Sequence, residues 1–288
     1  MPAVSTPPSS TPQPLTHYEN FPVASMLCPP RLRPAVAAIY WFARTADDIA
    51  DEGDAPAPSR LAELKQFRDD LAAAAQDKEP SLRWPQVFAP LRAAIRRFAL
   101  PETLLADLLS AFAQDIEKSR DGAGYDDRAA LLDYCSRSAN PVGRLLLHLY
   151  GVTDAESLAR SDCVCSALQL INFWQDLSQD IPRGRFYLPR EDCEAHGVSQ
   201  ADLLALNQTP AATTLIAAEV RWARELMLQG APLVHRLPGR AGWELRLVVQ
   251  GGLRILQRIE AGGFASLRLR HKLRKRDAPA VLWHALWM

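Results

Sequence analysis

Blocks rich in Ala, Leu and Arg, set apart by proline and glycine clusters, fill this sequence, and β-branched alternation is almost absent. A half-buried strand places apolar residues at every second position, whereas an amphipathic helix repeats them about every 3.6. The pattern therefore points to helix throughout. Helices are predicted near 31–51, 59–76, 84–98, 101–118, 128–136, 139–150, 154–180, 200–207, 210–229, 231–235, 239–262 and 264–274. The punctuation agrees. Gly53-Asp54-Ala55-Pro56-Ala57-Pro58 follows the first segment, Pro85 and Pro101 stand at helix starts, and Pro182-Arg183-Gly184 ends the longest one. No repeat of roughly 20–50 residues is evident, which argues against a solenoid. The expected organisation is a Pro/Ser/Thr leader over 1–16, one all-α domain over 17–276 with a central cavity, and a Trp/Leu tail over 277–288.

With 48% hydrophobic residues the chain can bury a large core. Its 33 Lys+Arg balance 33 Asp+Glu, which argues against holding nucleic acid by an overall field. Five scattered cysteines suit reduced thiols in a cytoplasmic protein, and Cys163-x-Cys165 lacks the second pair that a zinc site needs. Residues 1–14 have no apolar core and do not read as a signal peptide. No apolar run approaches the ~18–20 residues needed to span a bilayer.

Two acidic clusters carry the chemistry. Asp47-Asp48-Ile49-Ala50-Asp51-Glu52 ends a segment, Ala35 to Ala46, that reads as apolar nearly all round and hence as a buried helix. Asp47 and Asp51 sit at i and i+4, on one face, where like charges repel and call for a cation. A frayed, solvated helix end would explain this cluster alone equally well. The second cluster favours a site: Asn172, Asp176 and Asp180 recur at i, i+4 and i+8 among Leu168, Ile171, Phe173, Trp174 and Leu177. A solvated face would mix Lys with Glu, whereas this stripe carries oxygen donors only. Such a set suits Mg2+, or Mn2+ in its place, bound together with substrate phosphate oxygens. Arg44 precedes the first cluster by one turn, and Arg183 and Arg185 follow the second. Acidic helices bridged by Mg2+ and flanked by Arg can stabilise charge on a departing diphosphate. Arg44 could equally be a helix salt bridge to Asp48, and the two later arginines a solvated loop.

These residues resemble a known family. Asp47-Asp48-Ile49-Ala50-Asp51 is similar to the first aspartate-rich motif of the squalene/phytoene synthases, and Asn172-x-x-x-Asp176-x-x-x-Asp180 with Pro-Arg-Gly-Arg-Phe-Tyr-Leu-Pro to the second. Tyr134-Cys135-Ser136-Arg137-Ser138-Ala139-Asn140-Pro141-Val142-Gly143 stands where the family carries its middle motif, and the likeness runs from about 17 to 275. Within the family it is greatest to the hopanoid-pathway branch that forms hydroxysqualene. It is carried by Glu19 to Ser25, Phe42 to Gly53, Ser138 to Arg144 and Asn172 to Asp176. The resemblance implies the all-α isoprenoid synthase fold and a carbon–oxygen lyase reaction. Presqualene diphosphate would ionise with Mg2+, rearrange as a cyclopropylcarbinyl cation, and be captured by water. It also implies Asp47, Asp51, Asn172, Asp176 and Asp180 at the metal site and Arg44, Arg183, Arg185 and Tyr187 on the diphosphate, with Asp47, Asp51, Asp176, Asp180 and Arg44 catalytic.

Two departures bear on the substrate. Asn20-Phe21-Pro22 replaces a Ser-Phe-Tyr segment common in relatives, and Gly251-Gly252 stands where condensing relatives often carry a Tyr. Both suit a protein that receives presqualene diphosphate ready-made from a pathway partner. The alternatives are a head-to-head prenyl transferase making presqualene diphosphate, squalene or phytoene, and, remotely, a non-catalytic family member. No dinucleotide fingerprint accompanies Gly239-x-x-Gly242 or Gly262-Gly263, so NADPH is not expected. Phe21, Tyr40, Trp41, Phe42, Phe112, Leu147, Phe173 and Trp174 are candidates for an apolar wall around a cation. Gln169, Asn140 and Tyr134 are candidates for positioning water. The run Arg268 to Arg276 followed by Val281 to Trp287 places basic groups beside Trp and Leu, which suits peripheral contact with the inner membrane surface.

Overall fold

The computed structural model describes residues 27–288, and no strand occurs among them. The leader and the readings of Glu19 to Ser25, Phe21 included, fall outside these residues. Twelve α-helices are described: α1 (Arg33–Asp51), α2 (Ala57–Ala75), α3 (Pro85–Phe98), α4 (Glu102–Asp121), α5 (Arg128–Ser138), α6 (Asn140–Tyr150), α7 (Ala155–Asp180), α8 (Arg190–Ala195), α9 (Gln200–Leu204), α10 (Pro210–Gly230), α11 (Arg240–Ala261) and α12 (Ala278–Leu286). Short 3-10 turns cover Ile181–Arg183, Ala231–His235 and Lys275–Asp277.

Two hydrophobic cores lie side by side. In the first, α1 packs on α3 and α4, and α2 packs on α4. Its centre is aromatic: Phe67 meets Phe42, Phe88 and Trp84 with ring centroids 5.2, 4.7 and 5.0 Å away. In the second, α7 packs along α10 and against α6 and α11, with Trp174 fully buried. Each acidic helix thus belongs to a different core. α7 starts where the Asp154 carboxylate accepts a hydrogen bond from the Ser157 amide at 3.0 Å. It stops where Pro182 and Gly184, at φ +77°, turn the chain back.

Four expectations need correction. α1 is not apolar all round: it buries Val36, Ile39, Phe42, Ala46 and Ala50 on one face, while Trp41 is 40% exposed. Of the proposed wall, Phe42 and Trp174 are core residues instead, because their neighbours are rings and aliphatic side chains on every side. No helix covers 264–274: after Gly262 and Gly263 the backbone turns through Phe264 at φ +57°, makes one more turn in which the Arg268 and Leu269 amides donate to the Ala265 carbonyl, and continues to 274 without regular structure. A Cβ on Gly262 would lie 2.2 Å from the His271 ring, so the segment folds back over its own glycine. The tail expected after 277 contains α12, which packs on α11.

Candidate active site

The acidic end of α1 faces α4 and the turn after α7 across a cavity of about 790 Å³. Arg44, Asp47, Asp51, Arg60, Asp115, Arg120, Arg183 and Arg185 line it. With Glu52, five guanidinium groups and four carboxylates surround one space, an anion site whose own charge is largely balanced from within. Arg44 bridges Asp47 at 3.3 Å, Asp48 at 2.6 Å and Glu52 at 2.7 Å, so it does form the intrahelical salt bridge and also lines the cavity. Arg60 is anchored on the carbonyls of Ala55, Ala50 and Gly53, which holds the loop after α1 shut against α2.

The loop after α7 brings the two motifs together. Arg185 donates to the Asp51 carboxylate at 2.6 Å, joining residues 134 positions apart. Burial works against the Arg185 charge, but Asp51, Tyr187 and Asp180 hold it more firmly protonated than an ordinary arginine. Its Nε is buried and has no hydrogen-bond partner among the described residues. An orphaned donor on a cation that lines a cavity is a place for an anionic oxygen.

The remaining carboxylates are strained electrostatically. Burial, reinforced by Asp51, pushes Asp47 up to about 6. Burial and then Asp176 do the same to Asp180, also to about 6. Asp115 is raised to about 7, mainly by burial, although the Tyr134 hydroxyl donates to it at 2.6 Å. Carboxylates held above their ordinary range by burial, with like charges adding to it, are short of solvation and of positive charge, and a cation would supply both.

Asp176 lies outside the lining of the cavity and is clasped by Arg270, with Nε at 2.5 Å and Nη2 at 2.7 Å from its two oxygens. Asp180 and Asn172 also lie outside the lining. Tyr187 does too: it is buried, stacked on Phe173 with centroids 3.7 Å apart, and its phenol stays protonated because of burial and Asp115. Asn140 accepts from the Ser166 hydroxyl at 2.9 Å inside the core. Among the described residues no three His, Cys, Asp or Glu side chains converge as a metal cage. The donor chemistry of Asp47, Asp51, Asn172, Asp176 and Asp180 is oxygen only and fits a hard divalent cation. In this structure arginines hold Asp51 and Asp176.

Sequence reasoning missed Asp115, Arg60, Arg120 and Arg270. Asp115 had no distinguishing signal, since α4 also carries Glu102, Asp107, Glu117 and Asp121. Arg270 had none, because it contacts a residue 94 positions away from a segment predicted to be helical.

A second cavity, about 120 Å³, lies among apolar side chains including Val36, Leu146, Leu147, Val164, Leu168 and Leu245. Along α1, Val36 precedes Asp47 by about 16 Å of helix, and along α7 Leu168 precedes Asp176 by about 12 Å. The charged cavity and the apolar one are therefore displaced along α1, which lines both; α7 lines the apolar one, and the turn after it reaches the charged one through Arg183 and Arg185.

Similar proteins share this framework. A hydroxysqualene synthase of Zymomonas mobilis is 39% identical over 189 residues, a match spanning 64% of this chain and 59% of that protein. A presqualene diphosphate synthase of Rhodopseudomonas palustris is 31% identical over 278 residues, 95% of this chain and 96% of that one. Among solved structures, squalene synthase HpnC from Alicyclobacillus acidocaldarius superposes with a TM-score of 0.78 at 35% identity, over 86% of this chain and 90% of that one. A dehydrosqualene synthase superposes with a TM-score of 0.79 at 22% identity, covering 91% and 88%, which is a likeness of fold. The squalene/phytoene synthase family model matches residues 15–277, nearly the whole chain, and with the helical fold and the paired acidic motifs it shows that the protein belongs to that family of enzymes.

Proposed function

We propose that the protein is a hydroxysqualene synthase, converting presqualene diphosphate and water to hydroxysqualene and diphosphate. The observation that carries the reading is the arginine-lined cavity set about 16 Å along α1 from an apolar one. That arrangement suits an amphiphile with a diphosphate head and hydrocarbon arms. Arg44, Arg183 and Arg185 hold the head, and the vacant Arg185 Nε–H donates to a phosphate oxygen. The C–O bond breaks with its electron pair leaving on the diphosphate. The cyclopropylcarbinyl cation rearranges against apolar walls that keep bulk water away. One water then adds through its oxygen lone pair and loses a proton. Asp47, Asp51, Asn172, Asp176 and Asp180 would hold Mg2+, which supplies positive charge to the leaving group.

The relatives named hydroxysqualene synthase support this product, as does α11. There a Cβ on Gly252 would stand 2.9–3.2 Å from the side-chain ends of Met227, Ile171 and Leu168, so a tyrosine at that position would have to displace them, although Gly251 beside it has only Leu273, 4.0 Å away. A condensing activity on farnesyl diphosphate is the second reading, favoured by the full-length match to a presqualene diphosphate synthase. Purified protein with Mg2+ and presqualene diphosphate, without NADPH, is expected to give hydroxysqualene, while farnesyl diphosphate alone remains unchanged. Product from farnesyl diphosphate would establish the second reading instead.

A further inference from the structure

The C-terminal helix is built inside out. In α12 only Ala285 is fully buried, while Leu282, Trp283, Leu286 and Trp287 are exposed, the two tryptophans at 60% and 76%. Positions 282, 283, 286 and 287 fall at i, i+1, i+4 and i+5, which is one face of a helix. The Trp283 and Trp287 rings stand 5.8 Å apart on that face. A soluble surface scatters its large apolar residues singly; a contiguous stripe of four between 282 and 287 marks a contact.

The helix is not a loose end. The buried Asp277 at its start accepts from Arg254 at 2.8 Å and from Arg258 at 2.7 Å. Near its other end Arg246 donates to the Ala285 carbonyl at 3.3 Å. The outward face is thus presented rigidly along α11. Trp243, also exposed, lies on the same stretch of α11 under the Arg246 guanidinium, 5.0 Å from it. Its neighbours Ala241, Glu244 and Leu245 line the apolar cavity.

Basic side chains border the stripe. Arg268, Lys272, Arg274, Lys275 and Arg276 are exposed in the segment leading into α12, interleaved with exposed Leu269 and Leu273. From 261 to 288 the one acidic residue is Asp277, already neutralised by two arginines. A second copy of this chain is a poor occupant, because a face-to-face pair would bring these cations together. An anionic bilayer satisfies both halves, lipid phosphates for the cations and the acyl boundary for the Trp and Leu face.

We infer that α12 and the basic segment before it dock the enzyme on an anionic membrane, with the Trp283/Trp287 face inserted at the headgroup level. This is independent of which prenyl diphosphate the site turns over, and it places the apolar cavity beside the lipid phase.

The test is sedimentation of the full-length protein with phosphatidylcholine vesicles, with and without phosphatidylglycerol. The protein is expected to pellet with the anionic vesicles and to be released by salt. Trp283→Ser with Trp287→Ser is expected to abolish pelleting while leaving the melting temperature unchanged. Lys275→Gln with Arg276→Gln should weaken it roughly twenty- to thirtyfold, about a factor of five for each cation. Equal binding by the tryptophan variant, or no preference for anionic vesicles, would overturn the inference. So would light scattering that shows a wild-type dimer which the tryptophan variant dissolves, since the face would then belong to a protein contact.

Discussion

At the scale of single residues, the site is a set of carboxylates whose charge is undecided near neutral pH. Asp115, at about 7, is the clearest case, because deprotonating it adds a negative charge to a space that is to hold a diphosphate. Weaker substrate binding is expected as pH rises through 7, read as an increase in KM. The Tyr134 hydroxyl stabilises the Asp115 carboxylate, so Tyr134→Phe should raise that pKa further and move the increase to higher pH. A KM profile identical to wild type would refute this role for Tyr134. Asp176→Ala is expected to lower turnover on the order of 10²-fold or more. It should change stability by only about 1 kcal/mol, since its Arg270 partner is part-exposed; turnover with presqualene diphosphate and a thermal melt check both. The carboxylates of both motifs were legible in the sequence because helical spacing puts them on one face. Arg270 and Asp115 were not, since their meaning comes from partners on other elements and no local pattern encodes it.

At the scale of elements, two glycines show how closely α7 is gripped. A Cβ on Gly230 of α10 would lie 2.6 Å from the Arg160 carbonyl, and one on Gly143 of α6 2.4 Å from the Ser161 hydroxyl. Gly251 has only Leu273, 4.0 Å away. Gly230→Ala is therefore expected to destabilise the protein by about 1–3 kcal/mol, because backbone must move. Gly251→Ala is expected to be neutral or slightly stabilising; denaturant melts of the pair distinguish them. The long helices were readable because their breakers, Pro85, Pro182 and Gly53, act locally through fixed φ and lost donors. The segment 264–274 misled for a physical reason. Its Leu/Arg composition has good helix propensity, but the left-handed turn at Gly263 and Phe264 and the pull of Asp176 on Arg270 outweigh it. α12 was passed over because its apolar face points outward, the reverse of the pattern that identifies a packed helix.

At the scale of the whole molecule, Asp277 is the staple between the C-terminal segment and the rest. It accepts from Arg254, Arg258 and the Arg274 amide, which hold its pKa well below the ordinary carboxylate range. A depressed folded-state pKa contributes stability that is complete above the unfolded value, near 4, and is lost as pH falls below it. Asp277→Asn is expected to cost about 2–4 kcal/mol at neutral pH, by leaving two arginines without their carboxylate. It should also flatten the acid limb of the stability profile, as urea melts across pH can show. The clasp of Arg270 on Asp176 has a consequence for the order of synthesis. Asp47 leaves the ribosome before Asp176, and Arg270 follows both. Both acidic helices can therefore collapse onto their cores while the guanidinium that balances the second motif is still being made. A nascent chain halted after α11 would carry Asp176 without its guanidinium, so its compactness should depend on divalent cations in a way that the chain with Arg270 does not.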